Sequence, residues 1–444
     1  MNLSDNISPL DNRYREVVRP LARYFSEEAF IRYRIRVEQR YLRSLLDELN
    51  IRSNLKNFLK PVTTEDIAAV KEIEMKGRGE IPATHHDGKA IEYFLKTRLD
   101  PRVQEYVHFG LTTEDVSNIA LGLMIRESLE EKLIPAINAL LRDIQTMARA
   151  ERRTAMPGRT HGQWASPTTF GKELLVFARR VEGEVERLKT VEIAAKLSGA
   201  VGSYSALKFT TPEIDWLSFS RKFILSFDLT PVLVTTQTVP PESYLRIFQS
   251  FQLINSILID LSRDLWRYIS DGWVVQKTVE GEVGSSVMPH KVNPIHFENA
   301  EGNLKIANAL LECFVRELPV SRLQRDLSDS TVKRNFGVAL AHSYLAYCSC
   351  REGLSRIRPD RGLMQRLLAE HPEIVTEGIQ TELRKHLLNP YERLKELTRG
   401  KVITREDLHR FIGTLEVPEE VRGKLQSLSP ANYLGEIDRL FEED

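Results

Sequence analysis

Residues 242–271 read ESYLRIFQSFQLINSILIDLSRDLWRYISD, and this run decides the fold. Leu245, Phe248, Leu258, Leu261, Leu265 and Ile269 recur at steps that a period of about 3.6 residues places on one face, so one long helix is predicted. From Leu174 a second stripe passes through Phe177, Val181, Val185, Leu188 and Ala195, with Arg179, Arg180, Glu182, Glu184, Glu186 and Arg187 between them. It predicts an amphipathic helix of about 28 residues, roughly 40 Å long at about 1.5 Å per residue. Similar patterns cover 118–153 (with Pro135 as a kink or restart), 294–318 and 330–357. Long helices joined by shorter polar segments predict an all-α protein built on a central bundle, the apolar stripes forming its core.

Shorter elements flank the bundle. Residues 25–49, 64–76 and 88–97 read as helices, and beyond Pro359 short helices are interrupted at Pro372, Pro390, Gly400, Pro418 and Pro430. A chain of 444 residues is expected to hold two or three domains. Soft boundaries give an N-terminal helical domain (1–111), a central long-helix bundle (112–364) and a small C-terminal helical domain (365–444).

Lys plus Arg equals Asp plus Glu at 62 each, so the net charge is near zero. That balance argues against a general nucleic-acid or membrane-surface binder, and any polyanionic ligand must meet a local cluster of cations. No run of ~18 apolar residues exists, and the N-terminal MNLSDNISPLDNRYRE has no apolar core, so neither a membrane span nor a signal peptide is expected. Cys313, Cys348 and Cys350 form no disulfide framework and read as buried thiols in a reducing cytoplasm. There is no G-x-G-x-x-G and no P-loop, so the usual phosphate cradles are absent.

Chemistry gathers instead in segments between helices. Residues 277–301, KTVEGEVGSSVMPHKVNPIHFENAE, start as a polar stretch with Gly281 and Gly284 and end as a helix start, Asn293 reading as the cap and Pro294 as the first helical residue. Ser285, Ser286, His290, Lys291 and Asn293 put hydroxyls and a cation where a helix dipole favours negative charge, which suits a carboxylate or an enolate. An ordinary Gly/Pro turn with a cap would look the same. In Gly158-Arg159-Thr160-His161-Gly162-Gln163 a histidine sits in a Gly-bounded turn, exposed and suited to proton transfer, although a solvated surface histidine is as compatible. His85-His86-Asp87 sets a carboxylate beside two imidazoles, able to fix a tautomer; adjacent histidines without a further ligand make a metal site improbable. Thr112 with Asp115 approximates a capping box whose free N–H groups can also bind a carboxylate. Residues 325–334, RDLSDSTVKR, read as a helix start capped by Ser330 or Thr331. Arg325, Ser330 and Arg334 make a phosphate site there unless Asp326 and Asp329 neutralise the arginines.

Taken together, DNRY at 11–14, HHDGKAIEYF at 85–94, TTED at 112–115, GRTHGQ at 158–163, TTQ at 235–237, GSSVMPHKVNPIHFEN at 284–299 and QRDLSDSTVKRN at 324–335 resemble the bacterial type of the adenylosuccinate lyase family, within the fumarase/aspartase superfamily. The resemblance implies an all-α homotetramer with a shared helical core, each active site built from three chains, and no cofactor or metal. It implies elimination of fumarate from two nucleotide substrates, adenylosuccinate and succinylaminoimidazole carboxamide ribotide (SAICAR), with Ser285 as base and His161 as acid. A serine base becomes reasonable if closure of the segment surrounds Ser285 with N–H donors and Lys291. By the same resemblance Lys291, Asn293, Thr112, Thr113 and Gln237 hold the succinyl carboxylates, and Arg325, Ser330 and Arg334 hold the phosphate. Arg13 and Tyr14 cover the nucleotide, while His85, His86 and Asp87 line one wall. Val292, Asn299, Thr331, Val332 and Lys333 complete the contacts, and Glu298 orients His161 or Lys291.

Three departures touch fine geometry. Asn12 stands where Gly is usual and is expected to need a positive φ; Trp164 replaces a common Pro; His85 replaces a smaller polar residue. Argininosuccinate lyase and fumarase or aspartase are the rival readings within the superfamily, and a catalytically inactive helical scaffold is the rival outside it.

Overall fold

The computed structural model describes residues 6–277, 287, 288 and 290–442. Helices α1 (Arg15–Phe25), α2 (Glu27–Glu48), α3 (Thr64–Met75), α4 (Asp87–Lys96) and α5 (Thr113–Ser128) come first, and α6 (Ile134–Ala150) follows a π-helical turn at Leu129–Leu133. Strands β1 (Ala155–Thr160) and β2 (Gln163–Thr169) form an antiparallel hairpin ahead of α7 (Phe170–Lys189). A short parallel pair, β3 (Ala194–Ala195) with β4 (Thr230–Pro231), brackets α8 (Ser205–Thr210) and α9 (Trp216–Leu225). Then come α10 (Glu242–Ser270), β5 (Val274–Gln276), α11 (Ile295–Glu317), α12 (Ser328–Lys333), α13 (Phe336–Ser355) and β6 (Ile357–Pro359), with β5 and β6 antiparallel. Shorter helices from α14 (Arg361–Glu370) onward finish the chain.

The class is all-α, as the periodicity predicts, and the long run at 242–271 is a helix almost end to end. Gly272 N–H bonds Ile269 O and Trp273 N–H bonds Tyr268 O, the paired bonds of a Schellman stop. Elsewhere the boundaries move for local reasons. Pro135 has no N–H to give, so the turn before it widens and Ile134 N–H reaches five residues back to Leu129 O. The helix expected from Leu174 through Ala195 starts at Phe170 and stops at Lys189; Thr190 Oγ1 donates to Arg187 O, and Ala195 joins β3. The segment around His161 is a hairpin rather than a plain turn, its strands rich in β-branched threonine.

The helix at 330–357 begins earlier and is broken. Ser330 and Thr331 do not cap it: Asp326 accepts from Ser328 N–H at 2.9 Å, α12 starts at Ser328, and the chain kinks before α13. Pro294 rather than Asn293 supplies the carbonyl that opens α11, accepting from Glu298 N–H at 3.2 Å. Asn12 has φ −127°, so it needs no glycine-like backbone. Cys350 is buried, its thiol pushed up to about 12 by desolvation, but Cys313 is exposed, against expectation.

Contacts divide the chain into two units, the first comprising Met1–Ile137, Glu184–Ser256 and Asn303–Ala346, the second Asn138–Gly183, Ile257–Gly302 and Tyr347–Asp444. In the first, Phe248 of α10, Phe314 of α11 and Phe336 of α13 meet with ring centroids 4.7–5.3 Å apart. Asn255 adds direction to that apolar contact by donating to Ser343 Oγ at 2.9 Å and Asn308 Oδ1 at 3.0 Å. A separate apolar core joins α2, α3 and α4 through Leu42, Phe58, Val70, Ile91 and Leu95. In the second unit a further core forms around Val375, Ile379, Leu383, Leu408 and Ile412.

Phe248→Ala removes a ring with no solvent exposure from the three-ring contact. The expected loss is about 3–5 kcal/mol in chemical denaturation. A loss below about 1 kcal/mol would show that the cluster does not anchor the unit.

Candidate active site

The first turn of α5 is the site's foundation. Asp115, fully buried, accepts from Thr112 N–H at 2.9 Å, closing the predicted capping box, and from Ser198 N–H at 2.9 Å. It also pairs with the equally buried Lys196 at 2.8 Å, whose Nζ donates to Gly199 O at 2.9 Å. Asn118, one turn on, donates to Lys196 O and accepts from Lys196 N–H. Two ions in a dry interior are tolerable when each is paired and further hydrogen-bonded, as both are here.

The neighbouring carboxylate, Glu114, faces a cavity of about 470 Å³ within the same unit. Glu114 takes Lys333 Nζ at 2.8 Å and Arg325 at 3.3 Å. Asp329 takes the same two cations at 2.6 Å and 3.3 Å. Asp87 is shared between Arg34 at 2.9 Å and Arg334 at 3.2 Å. The predicted neutralisation is therefore partial. Asp329 engages Arg325, while Asp326 turns to Arg322 and Ser328. Among the described residues Arg334 pairs with Asp87 alone, and its side chain is 54% exposed. One helical turn before it lies Ser330, whose carbonyl accepts Arg334 N–H at 3.3 Å.

His85, His86, Asp87, Thr113, Arg325, Ser330, Lys333 and Arg334 all line this cavity, so three separated stretches of sequence converge. The two histidines are not held by Asp87. His86 caps α4, its Nδ1 accepting from Lys89 N–H at 3.1 Å, which leaves the neutral ring's proton on Nε2; His85 sits at φ +47°. Gly88 permits the junction, since a Cβ there would lie 2.9 Å from Thr113 and 3.2 Å from the His86 ring. Gln237 touches the network from behind: its Oε1 accepts from Arg325 at 3.3 Å and its Nε2 donates to Ala200 O at 2.8 Å. Thr112, Thr331, Val332, Arg13 and Tyr14 do not line the cavity; the Arg13 guanidinium lies 5.8 Å from the Tyr14 ring, beside α1.

The remaining predicted residues belong to the second unit or lie outside the described residues. Ser285 is one of the latter, as is Ser286. His161 is exposed at the hairpin tip, with φ +53°, followed by Gly162 at +75°, as in a type I′ turn. Lys291 and Val292 are exposed, and Val292 O accepts from Gln276 Nε2 at 2.9 Å. Asn293 and Asn299 are half-buried beside and within α11. Glu298 Oε1 accepts from Trp266 Nε1 at 3.1 Å.

Sequence reading passed over Arg34, Glu74 and Glu114, which line the cavity, and His108, which lines an adjoining opening together with His86 and Thr113. His108 meets Glu38 at 2.5 Å; burial disfavours its charge, yet Glu38 outweighs that and raises its pKa. The available signal was position, since Glu114 lies inside TTED and His108 just before it.

A family model described as lyase matches residues 13–309, and one described as adenylosuccinate lyase C-terminal matches 321–434. The chain is 40% identical to adenylosuccinate lyase of Haemophilus influenzae and to that of Escherichia coli strain K12, covering 98% of both chains in each case. It is 42% identical to that of Dictyostelium discoideum over 97% of this chain and 96% of the other. Among solved structures it resembles a fumarate lyase from Mesorhizobium sp. BNC1, with TM-score 0.74, 19% identity and coverage of 96% and 97%. It also resembles the 3-carboxy-cis,cis-muconate lactonizing enzyme of Pseudomonas putida, with TM-score 0.72, 18% identity and coverage of 96% of each chain.

Burial opposes ionisation of Asp87, but the hydrogen bond and charge of Arg34, the Gly88 N–H and Arg334 hold its pKa down at about 2. Its unfolded value is near ~3.9. A depressed carboxylate contributes stability above its unfolded pKa and loses it as pH falls through the folded one. The window is therefore from about pH 4 down to about pH 2, and the contribution is roughly 2 kcal/mol. Asp87→Asn should flatten the acid limb of unfolding free energy against pH; limbs parallel to wild type would contradict the anchoring.

Proposed function

The chain belongs to the adenylosuccinate lyase family, and on that premise we propose that it eliminates fumarate from adenylosuccinate, leaving AMP, and from SAICAR, leaving the free carboxamide ribotide. The observation that carries this reading is identity near 40% along 98% of the chain, with a family model of its own for the C-terminal part. In the reaction the base removes a C–H proton beside a carboxylate, and that electron pair becomes the new C=C bond of fumarate. The C–N bond breaks and the departing nitrogen takes a proton from the acid. The barrier lies in an aci-carboxylate intermediate of high charge, so donors must be placed around it in advance.

His161 is the proposed acid; its exposed position on a narrow tip supports a side chain that reaches outward. Ser285 is the proposed base, assigned on its segment's sequence alone. Thr112, Thr113, Gln237, Lys291 and Asn293 are proposed for the succinyl carboxylates. Arg334, whose side chain is 54% exposed, and Ser330 one turn before it are proposed with Arg325 for the phosphate.

The same reading makes the enzyme a homotetramer whose sites draw on several chains. Val176, Leu253, Trp266 and Ile306, exposed large apolar residues on α7, α10 and α11, support it. It also keeps the division at 111/112 and 364/365, in line with separate apolar cores near the two ends. A cytoplasmic location belongs to it as well; among the described residues no helix is long and apolar enough to cross a membrane.

Mixing the protein with adenylosuccinate should release fumarate, and an inert mixture would refute the reading. Arg334→Ala should raise KM at least about tenfold while kcat stays within about threefold, as for loss of uniform binding; equal losses in both would remove it from the phosphate site. His161→Ala and Ser285→Ala should each lower kcat by about 10²–10⁴-fold.

A further inference from the structure

The hairpin tip that presents His161 has little to orient it from within. His161 and Gly162 form the loop, and the direction of the imidazole is inherited from the strand pairs beneath, Thr160 with Gln163 and then Arg159 with Trp164. Partners directly opposite in an antiparallel pair share a face, so the Arg159 and Trp164 side chains lie together. The Arg159 guanidinium sits 4.5 Å from the Trp164 ring centroid and 4.6 Å from that of Trp273. The two indoles are stacked at 6.0 Å with 11° between planes, and Tyr268 continues the stack behind Trp273 at 5.7 Å and 10°. His371 lies against Trp164 at 4.3 Å. Asp271 pairs with the same cation at 2.5 Å and is itself held by Arg267 at 3.0 Å.

Tyr268, Asp271 and Trp273 belong to the last turn of α10 and the reversal after it. The ladder thus references a narrow hairpin to the end of a 29-residue helix. We propose that Arg159 and Trp164 are positioning residues for proton transfer: the cation held against both indoles fixes the twist of the strand pair and so aims the His161 ring. The proposal rests on His161 being the proton donor. Misplacing a reacting group by about 1 Å can cost about 10²-fold in rate.

The test uses the full chain, with adenylosuccinate as substrate and fumarate release as readout, and far-UV circular dichroism and thermal midpoint to confirm folding. Trp164→Ala and Arg159→Met should lower kcat by about 10- to 100-fold with KM within about threefold. Trp164→Phe and Arg159→Lys, which keep a ring and a cation, should recover to within about fivefold of wild type. In a His161→Ala background, Trp164→Ala should cost no more than about a further twofold, because both changes act on one step. A purely structural ladder would destabilise the fold and show the same loss with or without His161. The proposal is overturned if Trp164→Ala and Arg159→Met keep kcat within about threefold, if their whole effect is on KM, or if the loss persists undiminished without His161. A His161→Ala enzyme at full speed overturns the proton-donor reading and this proposal together; a dead His161→Ala with a fully active Trp164→Ala overturns the ladder's role alone.

Discussion

A lysine and an aspartate with no access to water, Lys196 and Asp115, meet at 2.8 Å beneath the first turn of α5. Neither charge could remain there alone, because an isolated ion in a dry interior costs several kcal/mol after relaxation. The pair is surrounded by backbone groups that hydrogen-bond to it, those of Thr112, Ser198 and Gly199, with Asn118 binding the lysine's own peptide. Fixing these groups fixes three things at once: where α5 begins, how the 196–199 segment passes it, and which way Thr112, Thr113 and Glu114 face.

From that point the cavity follows. Glu114, adjacent in sequence to the buried aspartate, holds Lys333 and Arg325. Thr113 abuts Gly88 at the start of α4, and Asp87 beside it binds Arg34 and Arg334. Three carboxylates, Asp87, Glu114 and Asp329, thus pre-arrange four cations that would otherwise repel, and they do so on helix ends rather than on mobile side chains alone. In the proposed phosphate role, an anion entering such a network would exchange ion pairs instead of ordering free side chains. That exchange keeps the cost of binding low, since side-chain ordering is a principal term opposing association.

What could be read from the sequence divides along physical lines. The run at 242–271 was legible nearly to the residue, because an unbroken period and a Gly stop leave few alternatives. The hairpin around His161 was not: its threonines favour strands, but glycines and prolines at the same positions read equally as a loop between helices. The motif strings placed His86, Thr113, Arg325 and Arg334 as site residues, and the cavity brings those four together. Their supports were hidden. Lys196 looks like any surface lysine until its burial is known, and Arg34 lies in the middle of an amphipathic helix with other arginines. Long-range pairing of charges leaves no periodic trace, so the part of the site made of partners rather than motifs needed coordinates.

The most direct measurement is a double-mutant cycle on the buried pair, read in both unfolding free energy and KM for adenylosuccinate. Lys196→Met alone, which strands a buried carboxylate, should cost about 3–5 kcal/mol and raise KM, and adding Asp115→Leu should restore neither, because the Thr112, Ser198 and Gly199 N–H groups then lose their acceptor. If Lys196→Met leaves stability within about 1 kcal/mol and KM unchanged, the site does not depend on this pair and the account built on it is wrong.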